Sequence, residues 1–177
     1  MGKLVAGLVV GTVTLIGIAA LNEHAPLALA GPKVLRGDPS AVARHDIPRH
    51  YRSLYRSAAA HHCHALPWSV LAGIGKVESD HGRSHAPGVH SGANHAGARG
   101  PMQFLPGTFA RYATDGDKDG RATPYDPSDA IPTAAKMLCA EGAKPGTLSS
   151  IKKSLYAYNH ANWYVNQTLN WAVRYTR

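Results

Sequence analysis

A chain of 177 residues has room for one folded domain of ordinary size and excludes a second catalytic domain. With 19 Lys and Arg against 11 Asp and Glu, its formal charge is +8, which suits a polyanionic partner or simply keeps the protein soluble.

Residues 4–21 carry no charge, follow Met1-Gly2-Lys3, and come shortly before Ala28-Leu29-Ala30, a small-x-small pattern of the kind signal peptidase cuts. The run is about as long as the roughly 20 residues that span a bilayer, so two readings of residues 1–30 stay open: a cleaved signal peptide, or a retained N-terminal membrane anchor. In both, everything after Gly31 is expected outside the cytoplasm. Removing residues 1–30 takes away one base, Lys3, and one acid, Glu23, and leaves the remainder strongly basic. Export makes an anionic cell-wall polymer, rather than nucleic acid, the expected partner.

Residues 31–44 contain two prolines and no apolar periodicity and read as a linker, with the folded domain over 45–177. From Pro48, Tyr51, Leu54, Tyr55 and Ala58 recur at helical spacing. A second helix follows Leu66-Pro67 over Trp68 to Ser79, in which Leu71, Ile74, Val77 and Glu78 share one side. Residues 80–99 are rich in Gly, His and Ser, too polar for a core element and long enough to be functional or mobile, and should border a cleft. Further helices are expected at Leu105 to Ala113, Asp129 to Ala140, Leu148 to Tyr158 and Asn162 to Tyr175, and no segment alternates with period two, so the domain is mainly α. Cys63 and Cys139 are expected to pair, since oxidation persists outside the cytoplasm; two unrelated buried thiols is the other reading.

The acids can be sorted one by one. Asp38 and Asp46 stand near the start of the expected domain, five aspartates cluster from Asp115 to Asp129, and Glu141 ends a helix, which leaves Glu78 and Asp80. Two positions apart on a helix, these cannot face each other across a bond, so a two-carboxylate glycosidase is poorly supplied. A lone glutamate against an apolar helix face has its charged form disfavoured and can serve as a proton donor near neutrality. The competing reading is a glutamate at a helix end that reaches solvent.

Three ordered blocks resemble the lytic transglycosylase and goose-type lysozyme group. They are "AGIGKVESDHGRS", with a Glu78-Ser79 pair; "GARGPMQFLPGTF", with Gly100, Met102, Gln103 and Pro106 and with Pro101 in place of the usual leucine; and "SLYAYNHA", with Ala157, Tyr158 and Asn159. The resemblance, which runs from about Pro48 to the C-terminus and has the look of short envelope enzymes related to the MltB type, implies a lysozyme-like fold and cleavage of peptidoglycan glycan strands between MurNAc and GlcNAc. It implies Glu78 as acid and then base, with no catalytic cofactor and a 1,6-anhydromuramyl product. Ser79, Gly100, Met102, Gln103, Tyr158 and Asn159 are the implied cleft residues, with Met102 as apolar wall, Gln103 bonding sugar groups and Tyr158 orienting Glu78. Core packing is the other reading of Met102 and Tyr158, a cap or brace of the neighbouring helix that of Asn159, and a helix end that of Ser79. A muramidase that uses water is the nearest rival, and a non-catalytic wall-binding adaptor the rival of another class. No pattern points to a protein partner, and a monomer is expected.

"DGDKDGRATPYD" places Asp115, Asp117 and Asp119 at positions 1, 3 and 5 of a twelve-residue calcium loop, with Gly120 at the turn, the Arg121 carbonyl at position 7 and Asp126 at position 12. Structural calcium is one reading. Another makes Asp126, followed by Pro127, a helix N-cap, and the two are compatible. His61, His62 and His64 beside Cys63, and His81, His85, His90 and His95, read as ordinary surface histidines rather than a zinc site.

Overall fold

The computed structural model describes residues 33–177. Seven α-helices follow one another: α1 Ala41–Asp46, α2 Arg49–His62, α3 Trp68–Ser79, α4 Pro106–Tyr112, α5 Pro127–Leu138, α6 Leu148–Tyr158 and α7 Asn162–Arg174. Among the described residues the only β pairing is an isolated antiparallel bridge between Arg99 and Phe104, so the mainly α expectation holds. The bounds of α3 and α6 coincide with those read from periodicity. No helix among the described residues is long and apolar enough to cross a membrane, and the signal or anchor expected in residues 1–30 lies outside them.

Helix α3 is the axis of the domain. From Trp68 to Gly75 every residue is buried, so the helix is enclosed on all sides rather than amphipathic. Two glycines permit this enclosure. A Cβ on Gly73 would stand 2.4 Å from the Thr168 carbonyl oxygen of α7, and one on Gly75 would stand 1.9 Å from the Tyr55 hydroxyl of α2. Leu71, Ile74, Ile131, Leu138, Ile151, Leu155 and Leu169 close the core around it.

The linker expectation for 31–44 fails from Val34 onward. Val34–Arg36 form a 3-10 turn whose Leu35 is buried, and Leu35 offers its carbonyl to the Ser69 hydroxyl at 2.6 Å. The indole N–H of Trp68 donates to the Gly37 carbonyl at 2.9 Å, and the Ser40 hydroxyl caps α1 by accepting from the Ala43 amide at 3.1 Å. Elements of three and six residues are too short to show a period, so packing against the ends of α3 and α7 was invisible in the pattern.

Cys63, which closes α2, is bonded to Cys139, which follows α5, across a sequence separation of 76 and a Cα–Cα distance of 5.6 Å. The bridge clamps two helices that already pack together.

Candidate active site

Glu78 lies in the last turn of α3, and the chain leaves that helix through two consecutive left-handed residues, Asp80 (φ 53°) and His81 (φ 57°). Left-handed non-glycine residues are costly unless the surroundings hold them. Here a polar network does so. Lys76 Nζ reaches Asp46 at 2.8 Å and Asp80 at 2.7 Å, and Arg83 bonds the same two carboxylates at 2.9 and 2.7 Å. Burial pushes Asp46 up, but hydrogen bonds from Lys76, Tyr175 and Arg83 win and hold it well below the usual carboxylate range.

His81 is buried at the centre of this network, which corrects its reading as a surface histidine. The Tyr175 hydroxyl donates to Asp46 at 2.6 Å, so its oxygen is free to accept from His81 Nε2 at 2.9 Å, and His81 Nδ1 then accepts from the Tyr55 hydroxyl at 3.0 Å. These contacts select one neutral tautomer with the proton on Nε2. Burial, opposed by the Asp46 charge, keeps His81 neutral by lowering its pKa to about 4. Asp80 is committed to Lys76 and Arg83, so it offers Glu78 no partner carboxylate.

Glu78 is half-buried, and burial pushes its pKa up to about 7, against the effect of a hydrogen bond that favours the charged form. The donor is Tyr164, whose hydroxyl lies 2.7 Å from Glu78 Oε1. This corrects the expectation that Tyr158 orients the glutamate: the Tyr158 hydroxyl donates to the Met102 carbonyl at 2.7 Å. The two tyrosine rings stack, 6.3 Å apart and 6° from parallel, so Tyr158 supports Tyr164 from behind. Tyr164 was missed because it stands five residues past Asn159, outside the Tyr-Asn block. The available signal was its place on the buried stripe of α7 with Val165, Thr168 and Leu169, where a buried hydroxyl must find a partner.

The Gly100 to Gln103 block lies beside the end of α3. Ser79, buried, donates to the Pro101 carbonyl at 2.6 Å and accepts from the Gly82 amide at 2.8 Å, so it ties the helix end to this block rather than reaching toward a sugar. Gly100 (φ 75°) has no substitute: a Cβ there would lie 1.6 Å from the Pro124 carbonyl oxygen. Met102 is fully buried and belongs to the core, the second of its two readings, rather than to an apolar cleft wall. Gln103, at φ 48°, donates to the Gly100 carbonyl at 2.8 Å and accepts from the Asn94 amide at 2.9 Å. Asn94 also accepts from the amides of Ala96 and Ala98, so it ties the 94–98 turn of the polar loop to Gln103. Asn159 is half-exposed at the end of α6, where its extended backbone turns the chain toward α7.

In the acidic loop, carboxylate oxygens of Asp115, Asp117 and Asp129 lie within 4.8 Å of one another, the one such group of potential ligands among the described residues. Asp126 is the N-cap of α5, accepting from the Ser128 amide at 2.7 Å through one carboxylate oxygen, and it stands outside the cluster of three. Asp129 is buried and accepts from the amides of Gly116 at 2.9 Å and Thr123 at 3.0 Å. Burial raises its pKa in spite of those bonds, and the nearby charges of Asp126 and Asp117 add to the rise. Clustered hard oxygens that repel one another are a donor set suited to a cation such as calcium.

Residues 82–171 match the family described as "Transglycosylase SLT domain", and the chain belongs to that family. The match begins four residues after Glu78. Comparison with curated proteins returns no match. The fold is similar to that of the Escherichia coli lytic transglycosylase SLT35 in complex with bulgecin A, at 17% identity and a TM-score of 0.58 over 71% of this chain and 70% of that one. A second structure, of E. coli SLT35 in complex with calcium, gives 15% identity and a TM-score of 0.52 over 74% and 76%. A 36 kDa muramidase/transglycosylase is alike at 15% identity and a TM-score of 0.52, over 74% and 77%. The lysozyme-like fold expected of the chain is thereby shown.

Proposed function

We propose that this chain is a peptidoglycan lytic transglycosylase of the MltB type that cuts the β-1,4 bond between MurNAc and GlcNAc with Glu78 as its single acid and base. The observation that carries the reading is a half-buried carboxyl whose pKa stands at about 7, bonded by Tyr164 and without a partner carboxylate. At neutral pH a large share of Glu78 is protonated and can give its proton to the glycosidic oxygen as the bond to the muramyl C1 breaks. The carboxylate so formed then takes the proton of the muramyl C6 hydroxyl while that oxygen bonds to C1. Being intramolecular, this closure has a proximity advantage over attack by water and yields a 1,6-anhydro end. A second carboxylate has no part in the sequence.

Tyr164→Phe separates positioning from packing. The tyrosine hydrogen bond lowers the Glu78 pKa, so its loss should move the alkaline limb of the rate profile from near pH 7 to higher pH. The maximal rate should fall about tenfold or more as the carboxyl loses its tether. A pH profile of fragment release from sacculi reads both. An unchanged limb would mean that Tyr164 does not act on Glu78.

The expected setting is extracytoplasmic, reached by a signal peptide or an anchor over residues 4–21, with the protein acting as a monomer. The acidic loop is assigned a structural calcium held by Asp115, Asp117 and Asp129, with Asp119 and the Arg121 carbonyl as further candidate ligands. Bound there, calcium would offset the burial, and the lesser repulsion, that raise Asp129 and pin the loop to α5; proton transfer by Glu78 needs no metal. Calcium at about a hundred times its dissociation constant should add roughly 3 kcal/mol and raise the melting temperature by several degrees. Asp117→Asn should abolish that response. Asp126→Ala should keep it while lowering stability by about 1 kcal/mol through loss of the cap. A calcium response lost in Asp126→Ala and kept in Asp117→Asn would reverse the ligand assignment.

A further inference from the structure

The protein has three tryptophans, and two are occupied. Trp68 is buried with its indole N–H on the Gly37 carbonyl, and Trp171 is covered by Lys76 and Arg174 at 4.8 and 4.5 Å. Trp163 is 62% exposed, the most exposed large apolar side chain among the described residues. It stands in the first turn of α7, immediately before Tyr164, and its ring meets the Tyr164 ring edge-on at 5.9 Å.

Along α7 the exposed positions Asn166, Gln167 and Asn170 follow Trp163 at spacings of three, four and seven, so the four side chains share one helix face. The solvent face of a helix ordinarily carries charges. This one has none before Arg174, in a chain whose formal charge is +8. An anionic lipid surface or a nucleic acid would call for Lys and Arg at these positions. A neutral, hydroxyl-rich and amide-bearing ligand calls for what is present: a flat aromatic face against which a ring's C–H groups can lie, and carboxamides that both donate and accept.

We infer that the Trp163–Asn166–Gln167–Asn170 face of α7 is a binding surface for N-acetylated hexosamine glycan, extending the Glu78 site along the strand. The inference rests on the glycan-cleaving reading above. Trp163 takes a sugar ring on its open face, and the three amides meet hydroxyl and N-acetyl groups of the sugars that follow. Trp163 adjoins buried Tyr164, whose hydroxyl bonds Glu78, so a sugar held on Trp163 lies one residue along α7 from the tyrosine that holds the carboxyl.

The test uses the full chain with Glu78→Gln, which binds without cutting, and N-acetylchitotetraose as probe. Titration should change the tryptophan fluorescence, and Trp163→Phe should abolish that change while calorimetry still detects binding. Trp163→Ala should weaken the affinity about tenfold, as removal of an aromatic anchor commonly does, and Trp163→Tyr less than about threefold. Gln167→Ala added to Trp163→Ala should weaken it further. With Glu78 intact, Trp163→Ala should raise KM for solubilised glycan strands about tenfold and change kcat by less than about threefold.

Fragment release by the wild type together with unchanged affinity and KM in Trp163→Ala would overturn this inference and leave the catalytic reading standing. Trp163-dependent binding to phosphatidylglycerol vesicles, without an effect on the tetrasaccharide, would also overturn it and make the face a membrane contact. A wild type that releases no fragments, yet loses tetrasaccharide affinity with Trp163→Ala, would sink the catalytic reading and keep this surface.

Discussion

Glu78→Gln is expected to lower fragment release from sacculi by about a thousandfold or more, the scale of a positioned general acid, while leaving affinity for glycan within a few-fold of wild type. Glutamine keeps the shape and still accepts from Tyr164, but it has no proton to give. The same substitution should stabilise the fold at alkaline pH. Folding raises the Glu78 pKa from 4.5 to about 7, so the native state holds the proton more tightly than the unfolded chain does. The cost of a buried charge is therefore absent below pH 4.5, grows between pH 4.5 and 7, and is complete above pH 7. Allowing for solvent at the half-open mouth, it should reach on the order of 2 kcal/mol. Melting temperatures of the two proteins should thus agree at pH 4 and separate at pH 8, with the variant higher. Equal values at both pH would mean that Glu78 is fully solvated in the folded protein.

Removing the Cys63–Cys139 bond carries the other large effect. A closed loop of 76 residues restrains the unfolded chain by about 4 kcal/mol in the chain-entropy account. That loop contains α3, the 80–99 loop, α4 and α5, and so Glu78, the Gly100–Gln103 block and the acidic loop, while Asp46, Tyr55, Tyr158, Asn159, Tyr164 and Tyr175 lie outside it. The Cys63→Ser, Cys139→Ser double variant should unfold at a markedly lower denaturant concentration, with a loss of roughly 3 to 5 kcal/mol. Since neither sulfur touches Glu78 or its tyrosines, activity measured well below the melting temperature should persist. An unchanged midpoint would show that the native contacts between α2 and α5 already restrain the chain as much as the bond does.

Where the sequence was legible, a physical pattern made it so. Helix α6 shows a 3.6-residue repeat, α3 is a long apolar run bounded by Pro67 and the polar loop, and Glu78 stands out because acids are few and it is the one acid inside that run. Tyr164 and the Asp46–His81 network were not legible, since each acts through a partner far away in the chain: Asp46 meets Tyr175 across a separation of 129. Asn94 was not legible because its partners lie within an aperiodic loop. Matching by template misled at Tyr158 and was incomplete in the acidic loop. A twelve-residue loop rule ends at Asp126, which with Pro127 starts a helix as read, but it passes over the first buried acid inside that helix, Asp129, which turns back to the loop. Likewise, the Tyr-Asn block marks where α6 ends, while the bend that follows carries Tyr164 to the glutamate. The short helix α1 escaped because six residues cannot display a period, yet it ends on Asp46, on which the turn after Glu78 depends.

The central claim, that one carboxyl cuts the strand by passing a proton out and taking one back, is tested most directly by mass spectrometry of sacculi digested with the wild type beside Glu78→Gln. Muropeptides ending in 1,6-anhydroMurNAc should be released by the wild type and not by the variant. Reducing ends on every fragment would mean that water, and not the C6 hydroxyl, completes the reaction, and equal release by both proteins would remove Glu78 from the chemistry.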